Sequence, residues 1–130
     1  MVDAGTSRID RAAVVRAALT AVFSGDTAVF EAHPGLAGMQ RTFPGVLRGF
    51  PDFSAELKQQ IVDGDRVASH WSFRGTHTGR LFGIAPTSKQ VEFENVSIAR
   101  VEDGRIVEYK SEVGWLHVLI QIGVLPLKNR

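Results

Sequence analysis

The sequence predicts an α+β fold: a curved antiparallel sheet wrapped around N-terminal helices, forming a cone with an internal pocket. Three observations predict it. The first third of the 130-residue chain carries helical periodicity, whereas from Phe53 onward apolar residues recur at every second position. Glu102-Asp103-Gly104 joins two long β-type runs, Gln90–Val101 and Arg105–Val113, and acidic-Gly between alternating runs is a strong hairpin signal because Gly supplies the positive φ of the turn. A hairpin this long needs further strands and a helical cover to bury one face. Helices followed by a run of antiparallel strands is the order of an α+β domain, here read as one domain over residues 1–130. The open end of such a cone favours a small-ligand site.

Each element has its own justification. Ser7 with Asp10 reads as a capping-box-like start, after which Val15, Ala18, Leu19, Val22 and Phe23 form one apolar helical face that Ser24-Gly25 ends. Asp26 caps a short helix over Thr27–Ala32, stopped by Pro34-Gly35. Leu36–Arg48 is a third helix containing Pro44-Gly45, and because Pro costs about 3 kcal/mol in a helix interior a kink or a division into two pieces is expected. Phe53, Ala55, Leu57, Gln59 and Ile61 give one face of a strand, and Val67, Ser69, Trp71 and Phe73 that of the next. A three-residue loop Asp63-Gly64-Asp65 sets Leu57 opposite Trp71 and Ala55 opposite Phe73, so large rings meet smaller partners. Gly75–Gly79 and Gly83–Thr87 connect to the hairpin, and Leu116, Leu119, Ile120 and Gly123 describe a closing helix.

Bulk properties exclude several classes. Hydrophobic content of 44%, charged content of 22% and a formal net charge of +1 describe an ordinary globule with no footprint for nucleic acid or an anionic membrane. The absence of cysteine removes disulfides, thiolate metal sites and cysteine nucleophiles, and fits a reducing cytoplasm. The apolar run Ala12–Phe23, broken by Arg16, reads as an amphipathic helix and not a signal peptide, and no run reaches the roughly 18 apolar residues of a membrane span. No two histidines stand at ligand spacing with a carboxylate, so no metal is expected.

In combination, Gly64-Asp65-Arg66-Val67-Ala68, Trp71, Gly75-Thr76-His77-Thr78-Gly79, Gly83-Ile84-x-Pro-Thr, the strand ending Arg100-Val101-Glu102-Asp103-Gly104-Arg105-Ile106-Val107-Glu108, and Gln121-Ile122-Gly123 with Leu125-Pro126 resemble the SnoaL-like polyketide cyclase (ester cyclase) family. That family belongs to the steroid-isomerase and nuclear-transport-factor superfamily of cystatin-like cones. The resemblance implies a cytoplasmic, cofactor-free enzyme of lyase or isomerase type, often a homodimer, acting on a bulky polyketide-like small molecule in antibiotic biosynthesis. It also admits relatives assigned to hydroxylation or epoxide opening, and a ligand-binding cone without catalysis. Cyclases of the family use an acidic residue just beyond the last strand as acid/base in an intramolecular aldol closure. Gly114 stands in that place here, and Lys110 stands where an aromatic residue is usual.

Pairing Val101 with Arg105 puts Val91, Phe93, Asn95, Ser97, Ala99, Val107, Tyr109, Ser111 and Val113 on the apolar face, and Ile98, Arg100, Ile106, Glu108, Lys110 and Glu112 on the charged one, with Glu94 opposite Glu112. One reading of the charges is a solvated ladder worth about 0–1 kcal/mol per pair. The other follows the resemblance, whose pocket positions match Gly114, Ile98 and Arg100. Glu112 is then the acid/base, Arg100 or Lys110 stabilises an enolate or alkoxide, and a Glu94/Glu112 carboxylate pair holds a proton near neutral pH. Trp71, Phe73, Ile98, Tyr109 and His33 are the candidate substrate-binding residues. His70 and His77 read as surface, loop or interface residues.

Overall fold

The computed structural model describes residues 8–125; the expected cap at Ser7 lies outside them, as does Pro126. The helices are α1 (Arg8–Phe23), α2 (Val29–Ala32), a 3₁₀ turn over Pro34–Leu36, α3 (Ala37–Gly49) and α4 (Trp115–Gln121). Strands β1 (Ser54–Asp63), β2 (Arg66–Thr76), β3 (Gln90–Glu102) and β4 (Arg105–Val113) form one antiparallel sheet in sequence order. This is the expected α+β cone.

The buried face of the sheet alternates cleanly along β2 and β3, where Val67, Ser69, Trp71 and Phe73 and then Val91, Phe93, Asn95, Ser97, Ala99 and Val101 point inward. Val15, Leu19, Val22 and Phe23 of α1 cover it. The aromatic rings form a connected wall. Phe23 meets Phe73 edge-on at 4.9 Å and Trp71 at 5.0 Å, and Phe73 meets Phe93 at 5.3 Å.

α3 is one helix, neither divided nor ended at Pro44. Pro44 and Gln40, whose carbonyl loses its amide partner, both lie on the exposed side, while Phe43 and Val46 are buried. Solvent therefore satisfies the freed carbonyl, and packing on the other side holds the helix through the proline.

Two bulges set the register. In the first hairpin, Asp63 pairs with Arg66 across a two-residue turn, not the expected three, yet Leu57 still faces Trp71 and Ala55 still faces Phe73. A shift between Leu57 and Gln59 restores those pairs and turns Ile61 outward, leaving it 57% exposed. In the second hairpin, Glu102 pairs with Arg105 and Val101 with Ile106, and a shift then brings Arg100 opposite Glu108 and Val96 opposite Glu112. The expected Glu94/Glu112 opposition does not form: Gly114 donates its amide to the Glu94 carbonyl at 2.9 Å, and Ile106, expected outside, is fully buried.

The second bulge is held from the N-terminal side. His33 accepts the Ile106 amide on Nδ1 at 3.0 Å, and Arg105 Nε donates to the Ala32 carbonyl at 3.1 Å. Gly35 then lies against the β4 backbone so closely that a Cβ there would come within 2.7 Å of Glu108 N and Val107 C. Backbone on backbone cannot give way. Gly35→Ala is expected to destabilise the fold by about 2 kcal/mol or more. Gly38→Ala, with nothing within 4 Å of the added Cβ and a helical backbone, is expected to be neutral or to stabilise by up to about 1 kcal/mol. Urea denaturation of the two variants measures both.

Candidate functional site

Between α3, the end of α1 and the inner face of the sheet lies a cavity of about 350 Å³, at the small end of the range for ligand pockets. Phe23, Phe43, Phe73 and Phe93 form its walls, Phe82 and Trp115 stand at its mouth, and Asn95, Ser111 and Glu112 bring polar groups to it. The fold builds this from simple parts. Asn95 and Ser111 sit at inward positions of β3 and β4, and α3 turns Met39, Phe43 and Val46 toward them.

Behind Asn95 and Ser111 the interior is polar. Tyr109 is largely buried; burial pushes its phenol above the ordinary value, with nearby Ser97, Ser111 and Asn95 acting the other way, so it stays protonated at physiological pH. Its hydroxyl, Ser97 Oγ, Asn95 Oδ1 and Trp71 Nε1 are all buried without a hydrogen-bond partner among the described residues. An unsatisfied buried polar group costs about 1–3 kcal/mol; of these four residues Asn95 lines the cavity, with Ser97 and Tyr109 close behind it.

Two of the three larger surface concavities hold paired charges. In the first, of about 540 Å³, Asp52 accepts both the Thr76 amide and hydroxyl at 2.7 Å, and Arg74 pairs with Glu92 at 3.0 Å. These contacts, the amide first, hold the Asp52 carboxyl below its ordinary range. The second, of about 700 Å³, contains Arg66, Ile98, Arg100 and Lys110. There Arg100 binds Glu108 through Nε at 3.1 Å and also bonds Glu102. Glu108 is held below the ordinary carboxylate range by that Arg100 contact, and Arg100 is correspondingly held charged. Asp52, Thr76, Arg74 and Glu92 of the first groove and Arg66, Arg100 and Glu108 of the second are thus engaged with one another, whereas Tyr109 also borders the second groove.

The expected site residues therefore separate. Phe73 lines the wall, whereas Glu112 borders the cavity only at its rim: it is exposed and pairs with Val96, on the same outer side of β4 as Lys110. Tyr109 belongs to the polar cluster behind it. Trp71 is core, packed under Phe23. Arg100, Lys110 and Ile98 do not face the cavity: strand alternation sends them to the outer face, where Ile98 is 53% exposed. His33 lies away from the cavity beside the β4 turn, serving as the acceptor described above. His70 is on the outer face, bonded to Glu94 at 2.8 Å. His77, read as a loop or interface residue, is fully buried, with Nδ1 on Thr87 at 2.9 Å. Among the described residues no three His, Asp or Glu side chains converge as a metal site would require, and no helix is long and apolar enough to cross a membrane. The cavity rings Phe43, Phe82 and Trp115 were not nominated from sequence, and neither were the polar residues Asn95, Ser97 and Ser111. Their signal was available: polar side chains at inward positions of otherwise apolar strands.

Known proteins resemble this arrangement. The family described as SnoaL-like polyketide cyclase matches residues 5–122. Nogalonic acid methyl ester cyclase of Streptomyces nogalater is 31% identical over 75 residues, 55% of this chain and 56% of that enzyme, so the match spans little more than half of its length. AclR of Streptomyces galilaeus, described as a candidate hydroxylase, superposes with a TM-score of 0.84 at 26% identity, covering 95% of this chain and 87% of its own. IdmH of Streptomyces antibioticus, described as a candidate polyketide cyclase, gives 0.70 at 26% identity over 87% of this chain and 98% of its own.

His33 makes a pH prediction. Burial, and then the charge of Arg105, lower its pKa. The unfolded chain thus binds a proton more readily than the folded one: the stability is complete above about pH 6.5, the unfolded value, and is lost as pH falls below it. His33→Ala is expected to lower stability at pH 8 by about 1–2 kcal/mol, since the Ile106 amide loses its acceptor. The variant is also expected to flatten the loss between pH 7 and 5. Thermal melts across that range check both effects.

Proposed function

The chain belongs to the SnoaL-like polyketide cyclase family, and from that membership we propose that it is an acid/base enzyme closing a ring within a polyketide-like ester, without a cofactor. The observation that carries this reading is an aromatic-walled cavity lined by Asn95, whose Oδ1 lacks a partner among the described residues, and by Ser111. Such a space suits a flat apolar skeleton bearing a hydroxyl that can donate to Asn95 Oδ1 and a carbonyl that can accept from Ser111.

In the proposed reaction the Asn95 side-chain N–H and the Ser111 hydroxyl donate to a substrate carbonyl, and the protonated Tyr109, close behind them, donates to Asn95 Oδ1 once the substrate is bound. Glu112, exposed on the outer side of the edge strand β4 but bordering the cavity, turns in over the rim in this proposal and takes the proton beside that carbonyl. The resulting enolate, its oxygen held by Asn95 and Ser111, attacks a second carbonyl of the same molecule; a C–C bond forms, and Glu112 returns the proton to the new alkoxide. The step is balanced without oxidant or reductant. Arg100 and Lys110 have no part in it, being on the outer face.

The place of the family's aspartate remains open in this chain. Gly114 has φ −74°, and a Cβ there would meet its nearest neighbours at an ordinary 3.6–3.7 Å. A side chain can start there without a clash, and a carboxylate on it would also cap α4, which begins without a side-chain cap. That vacancy, together with the likeness to AclR, favours a second reading in which the enzyme hydroxylates its substrate using oxygen and an external reductant. A binding protein without turnover is the third outcome.

The same proposal has the enzyme working in the cytoplasm in antibiotic-type biosynthesis. It also has two copies pairing through the outer sheet face, where Ile61, Val96 and Ile98 are each more than half exposed.

Mass spectrometry of products from a panel of aromatic polyketide esters separates the readings: unchanged mass or loss of water is expected, a gain of oxygen supports hydroxylation, and binding without product supports the third. With a turned-over ester, Glu112→Gln is expected to lower kcat by about 10²–10⁴, and unchanged kcat would remove Glu112 from the mechanism. Tyr109→Phe is expected to lower kcat about tenfold with little change in KM. Gly114→Asp is expected to restore part of the activity lost in Glu112→Gln.

A further inference from the structure

We propose that Phe82 is a specificity-determining gate at the mouth of this cavity, admitting flat conjugated rings and excluding saturated ones of similar size. The inference deepens the cavity reading above and rests on it.

Leu81 and Ile84 exchange both backbone hydrogen bonds, at 3.0 and 2.8 Å, so Phe82-Gly83 is a two-residue turn. Both turn residues have positive φ, +47° and +87°. Turns of this kind call for Asn, Asp or Gly at the first place, and a bulky aromatic residue there is an outlier. The turn is nevertheless firmly based: Leu81 is 1% exposed and Arg80 Nη1 donates to the Gly83 carbonyl at 2.7 Å. The strained residue is not a core side chain either, since Phe82 is 59% exposed.

What the strain achieves is the position of the ring. It rests on α3 at Gly45, where a Cβ would come within 2.6 Å of Phe82 Cε1, and stands edge-on to Trp115 at 5.7 Å and 84°. Both rings line the cavity. A flat ring can replace the Phe82–Trp115 edge contact with stacking on one or both faces. A puckered saturated ring cannot stack and must displace Phe82 from its seat. Backbone strain at an exposed aromatic residue that borders a cavity is the pattern of a functional constraint.

The test uses 2-naphthol and its saturated analogue 2-decalol, each small enough for the cavity. Stopped-flow fluorescence follows 2-naphthol binding, and competition gives the 2-decalol affinity. Phe82→Asn suits the turn while removing the ring; Gly45→Ala keeps the ring but pushes it off its seat. In both variants 2-naphthol association is expected to be about fivefold faster or more, and the preference for 2-naphthol over 2-decalol to shrink about tenfold. Phe82→Asn is expected to melt at or above the wild-type temperature. Unchanged rates and preference in Phe82→Asn, with saturable wild-type binding, overturn the gate and leave the cavity reading standing. A lower melting temperature with unchanged rates identifies Phe82 as a packing residue and overturns it equally. Absence of saturable binding to the wild type removes the cavity reading and the gate together.

Discussion

The bulge near the start of β4 is the constraint on which the inner surface depends. Ile106 points inward, and strict alternation from it would send Glu108, Lys110 and Glu112 into the core. The extra residue reverses the phase, so Tyr109 comes to lie inside while Arg100 and Glu108 pair in the open. His33, Arg105 and the close approach of Gly35 hold the bulge from the helical side. A histidine remote from the cavity thereby decides which side chains line it.

The second feature is an energetic imbalance. Domain stabilities are about 5–15 kcal/mol, and the buried groups of Trp71, Asn95, Ser97 and Tyr109 together weigh against that at about 1–3 kcal/mol each. Apolar residues of similar shape would pack the same strands more stably. The strained backbone at Phe82 is a further cost, at the cavity that Asn95 lines. Both are accounted for if the interior is shaped for a ligand that brings its own polar atoms and a flat ring.

Much of this was legible in the sequence, for physical reasons that also mark where legibility ended. The change from helical to alternating periodicity and the Asp103-Gly104 turn are local signals, and they gave the cone and the order of its elements. The family resemblance rested on turn and loop residues whose spacing survives divergence, and the match over residues 5–122 agrees with it. Bulges are tertiary: nothing near Lys58 or Val107 announces an extra residue, so Ile61 and Ile106 were assigned to the wrong faces. The burial of Tyr109 was read correctly. The site was sought among charges, however, and Arg100 and Lys110 proved to belong to the outer ladder, while the uncharged Asn95, Ser97 and Ser111 drew no attention. Pairings made by distant segments, such as His33 with Ile106, carry no sequence signal at all.

The central claim is that ligand is bound on the inner face of the sheet against the polar cluster, and methyl NMR tests it most directly. Titration of methyl-labelled protein with a polyketide-like aromatic ester is predicted to shift Met39, Val46 and Val113, which line the cavity. The methyls of Ile61, Val96 and Ile98 on the outer face are predicted to stay in place. Saturable shifts confined to the outer set, with the cavity methyls unmoved, would contradict the account.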